Sequence, residues 1–115
     1  MVVRWTEFAE NKLKEIFDYY FDVAGYNVAG KIVTKIKRSA DSLGTMPFIA
    51  PIEENLEKSK FIHRSLVVNR TYKVVYFIDE EFECVVIATI WDCRRDPSKL
   101  QEERTGDNIS PVQSP

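Results

Sequence analysis

Arg64-Ser-Leu-Val-Val-Asn-Arg-Thr-Tyr-Lys-Val-Val-Tyr-Phe-Ile-Asp79 and Cys84-Val-Val-Ile-Ala-Thr-Ile-Trp-Asp-Cys-Arg-Arg-Asp-Pro97 are runs of β-branched and aromatic residues broken by short polar stretches. Such residues suit a pleated, half-buried surface, so the runs read as strands. The strands are expected over residues 61–68, 72–78 and 83–91, with Asn69-Arg70-Thr71 and residues 79–82 as turns and Pro97 as the end of regular pairing. Three strands joined by turns this short form an antiparallel meander.

Upstream the periodicity changes from two to between three and four. Val2, Val3 and Trp5 make a short strand, and Thr6 offers a hydroxyl to cap a helix whose first turn carries Glu7 and Glu10, acidic side chains suited to the positive end of the helix dipole. Ala9, Leu13, Ile16, Phe17, Tyr20 and Ala24 form its apolar stripe. Gly25 breaks the helix. Asn27 is expected to cap a second one, with Val28, Ile32, Val33, Ile36, Ala40 and Leu43 inward, Lys31, Lys35, Lys37 and Arg38 outward, and Gly44 ending it. Neither stripe can be buried alone, so the two helices pair as a hairpin and share a core with the sheet. Residues 45–60, with Pro47, Pro51 and a charged stretch from Glu53 to Lys60, read as a connecting loop containing one helical turn.

The sum is an α+β fold in the order β-α-α-β-β-β, a two-helix hairpin packed on a small antiparallel sheet. One domain is expected over residues 1–104, followed by a flexible tail over residues 105–115 that is dispensable for folding. A chain of 115 residues is long enough to bury one core. At 44% hydrophobic and 30% charged residues it is neither disordered nor a membrane protein, and no apolar run approaches the roughly 20 residues that span a bilayer. The first residues lack a signal-peptide core, and a cytoplasmic location is expected. On a single strand, the odd separation of Cys84 and Cys93 would place their side chains on opposite faces, which argues for two reduced thiols. With His63 as the only other soft ligand, no structural zinc site, and no cofactor, is expected.

In order along the chain, Trp5-Thr6 with the spaced Ala9, Leu13, Ile16 and Tyr20, then Pro47 and Pro51, then Arg64-Ser-Leu-Val-Val with Tyr72-Lys-Val-Val-Tyr76, and finally residues 87–91 with Arg94-Arg95-Asp96-Pro97 resemble the RelE/ParE toxins of bacterial type II toxin-antitoxin systems. The resemblance runs from about residue 5 to residue 100. It implies an antitoxin partner whose flexible segment wraps the toxin, and it leaves two mechanisms open. RelE-like members are ribosome-dependent endoribonucleases that cut messenger RNA, which requires cations around the scissile phosphate and a proton-transfer group. ParE-like members poison DNA gyrase.

On the nuclease reading, the resemblance implies Lys73 and Arg94 as the catalytic cations. The tyrosine that nuclease members carry after the late arginine is absent, because Pro97, Ser98, Lys99 and Leu100 occupy that stretch, and the late His-Tyr pair of related nucleases is absent too. His63 is the only histidine and a candidate substitute base, against a plain reading as a half-exposed strand residue. With 16 basic against 18 acidic residues, the chain lacks the overall positive charge that draws a protein to ribosomal RNA. The resemblance is therefore nearer the ParE branch, with gyrase rather than the ribosome and its message as the target; an attenuated member that only binds antitoxin is a third reading. Arg64, Arg94 and Arg95 are the target-contact candidates. If the last strand persists, Arg94 and Arg95 point to opposite faces, and each has a structural alternative: pairing with Asp92 or Asp96 for the late arginines, holding the hairpin for Arg64. Tyr72, Tyr76 and Trp91 read as core. Lys31, Lys35 and Arg38, with Lys37, are the antitoxin-binding candidates, assisted by apolar surface near the helical hairpin and the sheet edge.

Overall fold

The computed structural model describes residues 1–103, so the tail expected over residues 105–115 lies outside the described residues. The elements are β1 (Val2–Trp5), α1 (Glu7–Ala24), α2 (Tyr26–Asp41), β2 (His63–Val68), β3 (Tyr72–Asp79) and β4 (Cys84–Asp92), with short 3-10 turns at Ser42–Gly44, Glu54–Leu56 and Pro97–Glu102. The expected α+β order is present. β2, β3 and β4 form the antiparallel meander. β1 takes the free edge of β4 and runs parallel to it, from Val2 opposite Cys84 to Trp5 opposite Ile87, so the sheet is mixed, in the order β1-β4-β3-β2. A parallel neighbour needs a long connection, and two helices and two strands separate β1 from β4.

Thr6 caps α1 as expected, its Oγ1 accepting from the Ala9 N–H at 3.1 Å. It is also fully buried, and its hydroxyl lies 2.9 Å from the Ile87 carbonyl oxygen, so the cap pins α1 to β4. Gly25, at φ +90°, ends α1 and precedes α2 directly, which makes it, rather than Asn27, the residue at the start of the second helix. The inward stripes are shifted from expectation at the hairpin tip: Ala24 and Val28 are exposed and Ala29 is buried. Along the whole of α1 only Ala9 is fully buried, while Leu13, Ile16 and Tyr20 pack partly on the core.

The helices cover one face of the sheet. Val74, Tyr76, Val85, Ile87 and Ile90 meet Ile36, Ala40 and Leu43 there. The other face carries Phe77, Val86 and Ala88 in one cluster and Val75, Trp91, Leu56 and Leu100 in a second. Within β4 the pairing steps from Val75 opposite Thr89 to Tyr76 opposite Ile87, leaving Ala88 as the extra residue of a β-bulge. The bulge reverses the alternation: Ile87 and Ile90, three apart, share the helix side. The odd spacing of Cys84 and Cys93 therefore no longer assigns them opposite faces. Both thiols are free, Cys84 buried and Cys93 exposed beyond the strand end, separated by roughly 30 Å of chain at about 3.3 Å per residue.

The connecting loop over residues 45–60, with its expected helical turn at Glu54–Leu56, is a strap that crosses the outer edge of β2. It starts on the helix side, where Tyr76 Oη donates to the Pro47 carbonyl at 2.7 Å and Arg64 Nη1 to the Ala50 carbonyl at 2.7 Å. It then pairs with β2, Ser65 N–H donating to Pro51 O and Glu53 N–H to His63 O. It ends on the opposite face with Leu56 against Val75 and Trp91.

Candidate functional site

Where the strap reaches the far face, Glu53 is buried with one oxygen accepting from Ser65 Oγ at 2.7 Å and from Lys73 Nζ, and the other from the Asn55 backbone and side-chain amides. Burial alone would raise the Glu53 pKa; the hydrogen bonds from Lys73, Ser65 and Asn55 outweigh it and bring the carboxyl down to about 2. Lys73 is thus already committed to an internal anion. His63 is buried, 1% exposed, rather than half-exposed: its Nδ1 lies 3.0 Å from the Phe61 carbonyl oxygen and its ring meets Phe77 edge-on at 5.2 Å. His63 pairs with Phe77 and Lys73 with Val67, which puts the two roughly 13 Å apart along the strands.

Arg94 lies elsewhere, at the end of β4. The strand stops at Asp92, so Arg94 and Arg95 leave the sheet in a turn, and the opposite-face expectation, which required the strand to persist, no longer applies; both border one hollow of about 330 Å³. Arg94 is held bidentately by Asp92, Nε to Oδ1 at 2.9 Å and Nη2 to Oδ2 at 2.8 Å. These bonds hold the Asp92 carboxyl below its ordinary value and raise that of the guanidinium. Arg95 lies 4.2 Å over the Trp91 ring and 3.7 Å from Glu103. Lys73, Arg94 and His63 are not brought together. Arg64 is turned to the strap, donating to Ala50 and lying over Phe48 at 5.3 Å.

The helical hairpin carries two different surfaces. Beside α1, where burial is incomplete, Val3, Trp5, Leu13, Phe17 and Val33 line a groove of about 750 Å³, rimmed by Arg4, Lys14 and Lys37 and by Glu10 and Asp18. The outer edge of β1, the end strand of the sheet, flanks it. Lys31, Lys35 and Arg38 are exposed on the solvent side of α2, around the corner from this groove, and Lys37 is the one of the four basic residues on its rim. Among the described residues no group of three or more His, Cys, Asp or Glu could hold a metal ion, and no helix is long and apolar enough to cross a membrane.

Over residues 3–97 the chain matches the family described as ParE toxin of type II toxin-antitoxin system, parDE. It belongs to the ParE toxin family. A solved structure titled "Chromosomal ParDE TA system from P. aeruginosa" superposes with a TM-score of 0.66 at 21% identity, over 80% of this chain and 95% of that one, a likeness that bears on the fold. No curated protein matches the chain.

In this ParE-family chain, Tyr72 is buried as expected but also borders a site, and Glu53 is a site residue that the sequence pattern did not single out. Tyr72 lines the Arg94 hollow with its hydroxyl 3.4 Å from that of Tyr20, and burial, followed by the Tyr20 contact, raises its pKa, so it is a poor proton donor near neutrality. Glu53 was hidden in a charged stretch. Its signal was Lys73, a lone cation in an apolar strand, which demands an anion partner.

Proposed function

We propose that this ParE-family toxin inhibits growth by poisoning DNA gyrase in the cytoplasm and is neutralised by a cognate antitoxin. The observation that supports this over RNA cleavage is the dispersal of the nuclease set: Lys73 is neutralised by Glu53 on one face, Arg94 is clamped by Asp92 at the strand end, and His63 is buried beside Phe77. Transition-state stabilisation needs charges converging on one phosphate. Inducing the protein should stabilise gyrase-DNA adducts and trigger DNA-damage signalling while messenger RNA stays intact. Codon-linked cuts in translated messages would sink the gyrase reading in favour of a ribosome-dependent nuclease, and neither effect would mark an attenuated antitoxin-binding member. Arg64, Arg94 and Arg95 remain the proposed target contacts, tested in the same assay by alanine substitution.

The antitoxin is proposed to lie in the groove beside α1, its apolar side chains on Trp5, Leu13, Phe17 and Val33 and its backbone added to the β1 edge. Co-expression with an antitoxin encoded next to the toxin should give a complex that survives purification. Phe17→Glu, which puts a charge on the groove floor, should abolish it, whereas a wild-type pair that stays separate with both proteins soluble would remove the antitoxin from this account.

A further inference from the structure

The cations of this chain differ in whether the protein itself neutralises them. Lys12, Lys73, Arg94, Arg95 and Lys99 each have a carboxylate within 4 Å. On α2, among the described residues, neither Lys31 nor Arg38 has an ion-pair partner, and Lys35 gives one N–H to Asn69 Oδ1 at 3.2 Å while retaining two others. That contact brings the turn bearing Arg70 alongside. The three side chains surround a shallow hollow of about 630 Å³ that carries the hydrogen-bonding groups of Asn27 and Thr34 and, among the described residues, no acidic one. Gly30 lines it as well, beside open space in which a Cβ would meet nothing within 4 Å.

The chemistry of this face fits a polyanion better than a peptide. Peptide docking relies on apolar anchors seated in pockets, and among the described residues Tyr26, at one end, is the only large apolar side chain lining the hollow. A single-stranded nucleic acid is disfavoured for the same reason, because sequence-tolerant strand binding uses a series of aromatic platforms. A duplex backbone asks only for cations and small polar donors along a line. Lys31 to Arg38 spans roughly 10 Å of helix axis, over which one strand of duplex DNA carries about three phosphates.

We propose that the outer face of α2 binds the phosphate backbone of duplex DNA, with Lys31, Lys35 and Arg38 against successive phosphates and Asn27 and Thr34 donating hydrogen bonds to their oxygens. This goes beyond the gyrase reading, on which only the choice of DNA over an RNA duplex rests. The test uses the purified full chain and a short fluorescent duplex, as DNA and as RNA of the same sequence, with anisotropy followed over a series of salt concentrations. DNA binding should weaken with salt at a logarithmic slope of about −3, the value for three displaced counterions. The triple variant Lys31→Gln, Lys35→Gln, Arg38→Gln should lose at least about tenfold in affinity and most of that slope, with an unchanged unfolding midpoint; Lys14→Gln with Lys37→Gln, on the groove rim, should not. Absent or salt-insensitive DNA binding, wild-type binding by the triple variant, or preference for the RNA duplex would each overturn the proposal. So would a triple variant that keeps DNA binding and loses the antitoxin, which would assign the stripe to an acidic peptide. Gyrase-DNA adducts are scored separately: adducts without DNA binding by the isolated chain sink this proposal alone, and DNA binding without adducts sinks only the gyrase reading.

Discussion

Glu53–Lys73 and Asp92–Arg94 are both carboxylate–cation pairs anchored on the meander, and they do opposite kinds of work. Under the strap the carboxylate side chain is 6% and the ammonium side chain 14% exposed, and Ser65 and Asn55 complete the shell. At the strand end the arginine is 61% exposed. Removing one partner of the first pair strands a buried charge, whereas water replaces the partner of the second. The difference teaches that a cation at a family's functional position can be structural, and that its surroundings decide.

The strongest way to break this contrast is Lys73→Ala, which should cost about 3–5 kcal/mol in urea unfolding. Lys73→Met combined with Glu53→Leu should recover much of that loss, because an apolar pair leaves no orphaned charge. A double variant as unstable as the single would show that the pair is not what Lys73 contributes.

Acid should act on the same pair. Glu53 falls from 4.5 to about 2 on folding, so its contribution is complete above pH 4.5 and is lost as the pH falls from about 4.5 to about 2. The loss should approach about 3 kcal/mol, and Glu53→Gln should flatten that part of the stability profile. An unchanged acid limb in the variant would contradict the assignment. Ser65→Ala, which removes one donor to a charged acceptor, should cost about 1.5–3 kcal/mol by the same measurement.

Arg94→Ala marks the other end of the scale, with no measurable change in the unfolding midpoint at moderate salt. A large drop there would mean that Asp92 depends on its arginine as Glu53 depends on Lys73, and the contrast would collapse.

The strands, the Thr6 cap and the break at Gly25 were legible because each rests on local chemistry: alternation, a hydroxyl before an apolar stripe, a residue tolerant of positive φ. The burial of Tyr72, Tyr76 and Trp91 followed from the same alternation. What was not legible depends on contacts far apart in sequence. Nothing local to Glu53 distinguishes it from the exposed Glu54 beside it, and only the approach of Lys73 and Ser65 across the sheet makes it a buried acceptor. The parallel placement of β1 and the exposure of Val28 are likewise set by which edge and which helix face remain available after the meander forms. At the sites, Arg94 and Arg95 were found by position, but their shared hollow required the strand to end at Asp92.

The extra residue at Ala88 behaves like a shift of reading frame written into a strand. Everything in β4 before it is read in one phase and everything after it in the other, so Ile90 faces the helices and Trp91 the strap only because one residue goes uncounted. A relative lacking that residue could simply shorten the strand: the counterparts of Ile87 and Thr89 would become neighbours opposite Tyr76 and Val75, and Ile90 and Trp91 would keep their faces. A relative that kept the residue but paired it in plain alternation would instead turn Ile90 and Trp91 over, and would need a compensating length change or a rewritten order of apolar and polar residues there.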